Sequence, residues 1–67
     1  MMLGRVKWFN PERGYGFIAI SETEDAFVHF TSINMEGFRT LCEGDRVQYD
    51  IARRPDGYMA INVTPID

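Results

Sequence analysis

Four aromatic residues, Trp8, Phe9, Tyr15 and Phe17, fall within ten residues beside Lys7, Arg13, Gly14 and Gly16. Flat rings stack on unpaired bases for about 1 to 3 kcal/mol each, and cations hold the phosphates that run alongside. Glycines at positions 14 and 16 leave room for a base or a backbone to come close. A second cluster, Phe27-Val28-His29-Phe30, repeats the chemistry, and Phe38 stands next to Gly37 further on. Bases in a duplex already stack on one another and offer no free face. Interleaved rings and cations therefore point to single-stranded RNA or DNA.

Catalysis and metal chemistry find little material in the chain. His29 could serve as a base, but no serine, carboxylate or cysteine is placed beside it by a recognisable pattern, so an enzyme is not expected. Its imidazole can stack and donate a hydrogen bond instead. One histidine and one cysteine cannot assemble the three or four ligands of a zinc site, nor can a lone thiol close an internal disulfide. No metal or cofactor is expected, and Cys42 reads as filler of a loop or of the core.

A chain of 67 residues, with 45% hydrophobic and 25% charged residues, has room for a single domain over residues 1–67 that folds through its core alone. The net charge of −3 argues against polyanions, yet it is unevenly spread. Residues 1–20 hold Arg5, Lys7 and Arg13 against Glu12, whereas from residue 21 onward four arginines face nine acids. One part is locally basic, and the acids elsewhere read as a solvated surface that weakens binding to duplex DNA. The first residues lack a charged region followed by a long apolar stretch, and no run has the length of a membrane span. With a free thiol, this composition suits a cytoplasmic protein with no membrane partner.

Five runs of strand-forming residues position the rings. They cover residues 2–10, 15–20, 26–30, 46–53 and 58–64, broken at Asn10-Pro11-Glu12-Arg13-Gly14, at 21–25 and at Pro55-Asp56-Gly57, where turn-forming residues gather. Residues 31–45 read as a long loop, with one helical turn at 31–34. Strands at this spacing without helices predict a small closed barrel, all-β in class. Alternate residues of a strand face opposite ways. Small aliphatics fill a narrow barrel better than stacked rings, so Ile18, Val28, Val47, Ile51, Ile61 and Val63 are expected inside, with Met59 on the side of the last two. Tyr15, Phe17, Phe27 and His29 then face water. Strand parity leaves Trp8 open, since it shares the phase of Val6, and it places Phe30 with Val28 in the core. Phe9 is out of phase with Trp8, and Phe38 either caps the barrel or clamps a ligand.

Arg13-Gly14-Tyr15-Gly16-Phe17-Ile18 resembles the first ribonucleoprotein motif, and Phe27-Val28-His29-Phe30 the second. With Gly4-Arg5-Val6-Lys7-Trp8-Phe9-Asn10 and Asn62-Val63, the chain resembles a bacterial cold-shock protein over essentially its full length. The resemblance implies a five-stranded antiparallel OB-type barrel that binds single-stranded nucleic acid, by preference pyrimidine-rich, as an RNA chaperone in cold adaptation and gene-expression regulation. A monomer is expected. It assigns base stacking to Trp8, Phe17, Phe27, His29, Phe30 and Phe38, with Phe9 and Tyr15 alongside. Lys7 and Arg13 would take phosphates, and Asn10 a base edge or the turn. Tyr58 stands where the family commonly has proline, and Arg53-Arg54 precede the last turn, so the family's contacts at that rim are not carried over to these residues. The competing architecture is an SH3-like barrel whose aromatic groove docks a proline-rich peptide. Lys7 and Arg13, rather than acids, beside the rings favour phosphate.

Overall fold

The computed structural model describes residues 1–66. Its strands are β1 (Met2–Asn10), β2 (Tyr15–Ala19), β3 (Asp25–His29), β4 (Arg46–Arg54) and β5 (Gly57–Ile66), with one 3-10 turn at Phe30–Ser32. The breaks fall where the turn residues stand. Asn10 Oδ1 accepts from the backbone N–H groups of Glu12 at 3.0 Å and Arg13 at 3.1 Å, and Gly14 then adopts φ +78°. Such a φ costs a side chain-bearing residue about 1 to 2 kcal/mol.

The strands close in the order β1-β2-β3-β5-β4. β1 completes the ring by pairing with β4 over Met2 to Arg5 and with β2 from Arg5 to Asn10. The all-β, five-stranded OB-type barrel expected from the sequence is the observed one, with a single departure. Its strands are not all antiparallel: β3 and β5 run parallel, with Ala26 beside Tyr58 and Phe27 beside Met59. Geometry demands it. Every antiparallel junction reverses the strand direction, so a closed ring must contain an even number of them, and five strands leave at least one parallel junction.

Val6, Ile18, Ala26, Val28, Val47, Ala60 and Val63 fill the interior together with Tyr49, Ile33 and Leu41. A fully buried aliphatic side chain of this size contributes about 1.5 to 3 kcal/mol. Ile33 and Leu41 come from the long loop; Ile33 bridges to Val63, and Asn34 N–H donates to the Val63 carbonyl at 2.7 Å, so this loop supplies core as well as connection. Ile18, Val28, Val47 and Val63 lie inside as expected, and Ile51 is half-buried against them.

Ile61 is not in the core, because β5 carries a bulge. Pairing jumps from Gln48–Thr64 to Asp50–Ile61, so Asn62 and Val63 together oppose Tyr49, and Asn62 adopts φ 51°. An extra residue reverses the inward-outward alternation on either side of it. Ala60 and Val63 therefore both point in, while Ile61 and Met59 turn away from the interior side expected for them. Asparagine tolerates the left-handed backbone better than most residues, and its Nδ2 donates to Asp50 Oδ2 at 3.2 Å.

Tyr49 is 1% exposed, and among the described residues its hydroxyl has no hydrogen-bond partner. Burial pushes its pKa up, because the phenolate would be desolvated. A buried polar group without a partner costs about 1 to 3 kcal/mol. Tyr49→Phe should leave stability near neutral pH unchanged or raise it by about 1 kcal/mol in a urea titration. Above about pH 10 the unfolded chain ionises this phenol while the folded chain resists. Stability is therefore at its full value below that pH and falls as pH climbs from there through the raised folded value. Tyr49→Phe should lack that alkaline loss, and a marked destabilisation at neutral pH would reveal a partner for the hydroxyl.

Candidate nucleic-acid interface

The outer side of β2 and β3 is a sheet of rings because their inner side is taken by Gly16, Ile18, Ala26 and Val28, all buried. Tyr15 lies opposite His29, and Phe17 opposite Phe27. β1 adds Trp8 opposite Phe17. Ring centroids are 5.5 Å apart for Trp8–Phe17, 5.8 Å for Trp8–Tyr15, and 5.9 Å for both Tyr15–Phe27 and Phe17–Phe27. These four rings form a closed circuit at separations typical of attractive aromatic pairs.

A bulge in β1 settles the phase of Trp8. Val6 pairs with Ile18 and Trp8 with Phe17, so Lys7 is the additional residue. Val6 is buried while Trp8, of the same parity, is 38% exposed. The same slip turns Phe9 toward Gly16, where it packs against the core away from the ring circuit. A Cβ on Gly16 would overlap the Trp8 carbonyl oxygen and lie 2.7 Å from Phe9 Cα. The bulge and the glycine are thus one device.

Lys7, displaced outward, reaches across β2 to Asp25, with Nζ 3.0 Å from Oδ2. Exposed pairs of this kind are worth about 0.2 to 1 kcal/mol, so a phosphate can compete for the ammonium. His29 caps the 3-10 turn; its Nδ1 accepts from Thr31 N–H at 3.4 Å and lies 2.9 Å from Thr31 Oγ1, which fixes the plane of the imidazole. Phe30 begins that turn rather than continuing β3, and this frees it from strand parity. It is 40% exposed instead of buried, 4.6 Å from the His29 ring centroid to centroid, and packed on Gly14.

Arg13, Gly14, Phe30, Phe38 and Arg39 surround a groove of about 290 Å³ at one end of the ring circuit. Phe38 is 72% exposed beside Gly37 at φ +76°. Arg39 is a cation that the sequence reading passed over, although its place next to Phe38 was a signal. Asn10 spends its side-chain oxygen on the turn and keeps its amide N–H group for other partners. Among the described residues, no group of histidine, cysteine, aspartate or glutamate is arranged to hold a metal, and no helix is long and apolar enough to cross a membrane.

The model of the family described as the 'Cold-shock' DNA-binding domain matches residues 2–66. The chain belongs to the cold-shock domain family. It is 50% identical over 66 residues to cold shock protein CspB of Bacillus caldolyticus, covering 98% of this chain and 100% of that protein. To the major cold shock protein of Streptococcus pyogenes serotype M1 it is 44% identical, covering 98% of each. Among solved structures, drosophila Unr CSD456 superimposes with a TM-score of 0.76 at 20% identity, over 97% of this chain and 26% of that one. The likeness to that structure concerns the fold. Within this cold-shock domain, Gly16→Ala should cost about 3 kcal/mol, at the upper end of ordinary overpacking, and should disturb the Trp8 environment. Chemical unfolding followed by Trp8 fluorescence would measure both, and a variant of native stability would show that β1 can lift away from β2.

Proposed function

We propose that this protein binds single-stranded RNA and DNA by stacking unpaired bases on its rings, and that it acts as an RNA chaperone in cold adaptation. The observation that carries the reading is the closed circuit of Trp8, Tyr15, Phe17 and Phe27, which continues through His29 and Phe30 toward Arg13, Phe38 and Arg39. The family description and the names of the relatives support it. A pyrimidine-rich strand, a cytoplasmic setting and a monomeric protein belong to the same reading.

Mass action does the chaperoning, without a nucleotide cofactor. A protein that binds only the open strand shifts the pairing equilibrium by about 2.7 kcal/mol when its free concentration is 100 times Kd. That matches roughly two stacked base-pair steps at about 1.4 kcal/mol each. One bound copy therefore opens marginal pairing and leaves long helices closed. Gene-expression regulation follows where such marginal pairing covers a message.

Few cations take part: Lys7, Arg13 and Arg39 can neutralise about two or three phosphates. For single strands each contributes about 0.7 to the slope of log affinity against log salt, so the slope should be shallow, near −2. Oligothymidine should quench Trp8 fluorescence, whereas a proline-rich peptide and a DNA duplex should not. Phe17→Ala and Phe27→Ala should each raise Kd by about 5- to 150-fold, the equivalent of 1 to 3 kcal/mol of stacking. Undiminished binding by both variants, together with a steep salt slope, would refute stacking as the main source of affinity.

A further inference from the structure

Stacking uses the flat face of an imidazole, and that face survives a half-turn of the ring about its bond to Cβ, which keeps the plane and exchanges the edges. The edges of a neutral imidazole are not alike, because one nitrogen carries the proton and the other accepts. What the edge of His29 offers to a ligand is therefore set by something other than stacking.

Thr31 sets it. Its backbone N–H donates to Nδ1 at 3.4 Å, and its Oγ1 lies 2.9 Å from the same nitrogen. A nitrogen that accepts from a backbone N–H carries no proton of its own, so the hydroxyl donates as well and the proton of the neutral ring sits on Nε2. Nε2 makes no hydrogen bond among the described residues. Phe30 holds the ring from the side, with centroids 4.6 Å apart and planes at 39°. The turn that does this holding is itself anchored at both ends. Phe30 N–H donates to the Gly14 carbonyl at 2.8 Å, Ile33 N–H donates to the Phe30 carbonyl at 3.1 Å, and Ile33 is buried in the core. Thr31 lies exposed between these fixed points, and its branched Cβ restricts the direction of the hydroxyl.

We propose that Thr31 is a positioning residue of the ring surface: it holds Nδ1 of His29 on the 3-10 turn and leaves Nε2–H directed away from it, so that one side chain offers a face to a base and an edge donor to an oxygen of the adjoining sugar–phosphate backbone. This role rests on the single-strand reading above and deepens it. An N–H in the ring plane runs parallel to a stacked base rather than toward it, so its acceptor is the backbone beside that base. The donor is neutral, and it adds a contact without releasing a further counterion.

Ring-nitrogen resonances of His29 at about pH 8, where an ordinary imidazole is neutral, and oligothymidine titrations read by Trp8 fluorescence test it together. The free wild-type protein should show Nε2 protonated and Nδ1 bare, and the Nε2 proton should move downfield when the strand is added. Thr31→Val keeps the shape and the backbone N–H but deletes the hydroxyl. It should mix the two tautomers and raise Kd by about 2- to 12-fold, the worth of one neutral hydrogen bond, and Thr31→Ser should restore the wild-type behaviour. In the His29→Phe background, which keeps a flat face but has no tautomer to fix, Thr31→Val should cost nothing further. The salt slope should be the same for the wild-type protein and His29→Phe. A Thr31→Val loss that persists in full in the His29→Phe background overturns the role, as does a slope reduced in His29→Phe by about 0.7, the share of one charged contact. Should Thr31→Val fail to fold, the wild-type resonances still settle it: a proton on Nδ1, or an Nε2 proton that the strand leaves unmoved, overturns it. Where Phe17→Ala weakens binding in spite of such a result, the ring surface stands without Thr31. If no oligothymidine quenches Trp8 in the wild-type protein, the single-strand reading falls and takes this role with it.

Discussion

At Gly16 the backbone of β1 comes so close to β2 that even one added carbon would overlap the Trp8 carbonyl oxygen. That approach lets Phe9 cover the glycine from inside while the extra residue at Lys7 throws Trp8 outward. Without the bulge, one alternation would run through β1, and Trp8 would follow Val6 into the interior. The ring circuit would lose the member that joins Tyr15 to Phe17 on the β1 side. The outward lysine is a product of the same insertion. A bulge can re-aim several side chains at once because the two faces of a strand differ by a single residue step.

The two bulges do parallel work on opposite sides of the circuit. The one at Lys7 brings Trp8 to the surface beside Phe17, and the one at Asn62 brings Met59 to the surface beside Phe27. Around them the net charge of −3 keeps long-range attraction to a polyanion small. Affinity has to arise at contact, from ring faces and a few cations. In the proposed single-strand reading, contact of that kind would discriminate against duplexes on two grounds: their bases have no free face, and their higher charge density meets a surface that is acidic on balance.

Most of the architecture was legible in the sequence. Turn chemistry at Asn10 to Gly14 and Pro55 to Gly57 marked the hairpins, and alternation in 15–20 and 26–29 separated the ring side from the core side. The residues that escaped did so for local reasons. Ile61 and Met59 were misassigned because alternation carries no mark of an inserted residue, and Asn62, the residue that absorbs it, reads as ordinary strand. Phe30 escaped because a 3-10 turn begins at it, capped by His29, where strand logic would have continued. Ile33 and Leu41 lie in a stretch with no periodicity to read, yet they are buried. That at least one junction must run parallel follows from counting five strands in a closed ring, but that the pair is β3 with β5 comes only from the structure.

Outward rings are a burden to a protein this small, because each side chain left in water forgoes roughly 1.5 to 3 kcal/mol of burial in a fold stabilised by about 5 kcal/mol in total. Their arrangement reduces that burden. Tyr15, Phe17 and Phe27 are half-buried because each leans on its neighbours in the circuit, and a favourable ring pair recovers about 0.5 to 1.5 kcal/mol. What stays in water is chiefly the face that a base would cover. Binding would then remove from solvent the apolar area that folding left exposed, so ligand and fold stabilise each other through the same atoms. The close packing of β1 on β2 at Gly16 belongs to that coupling: whatever loosens it lowers stability and spoils the spacing of the rings together.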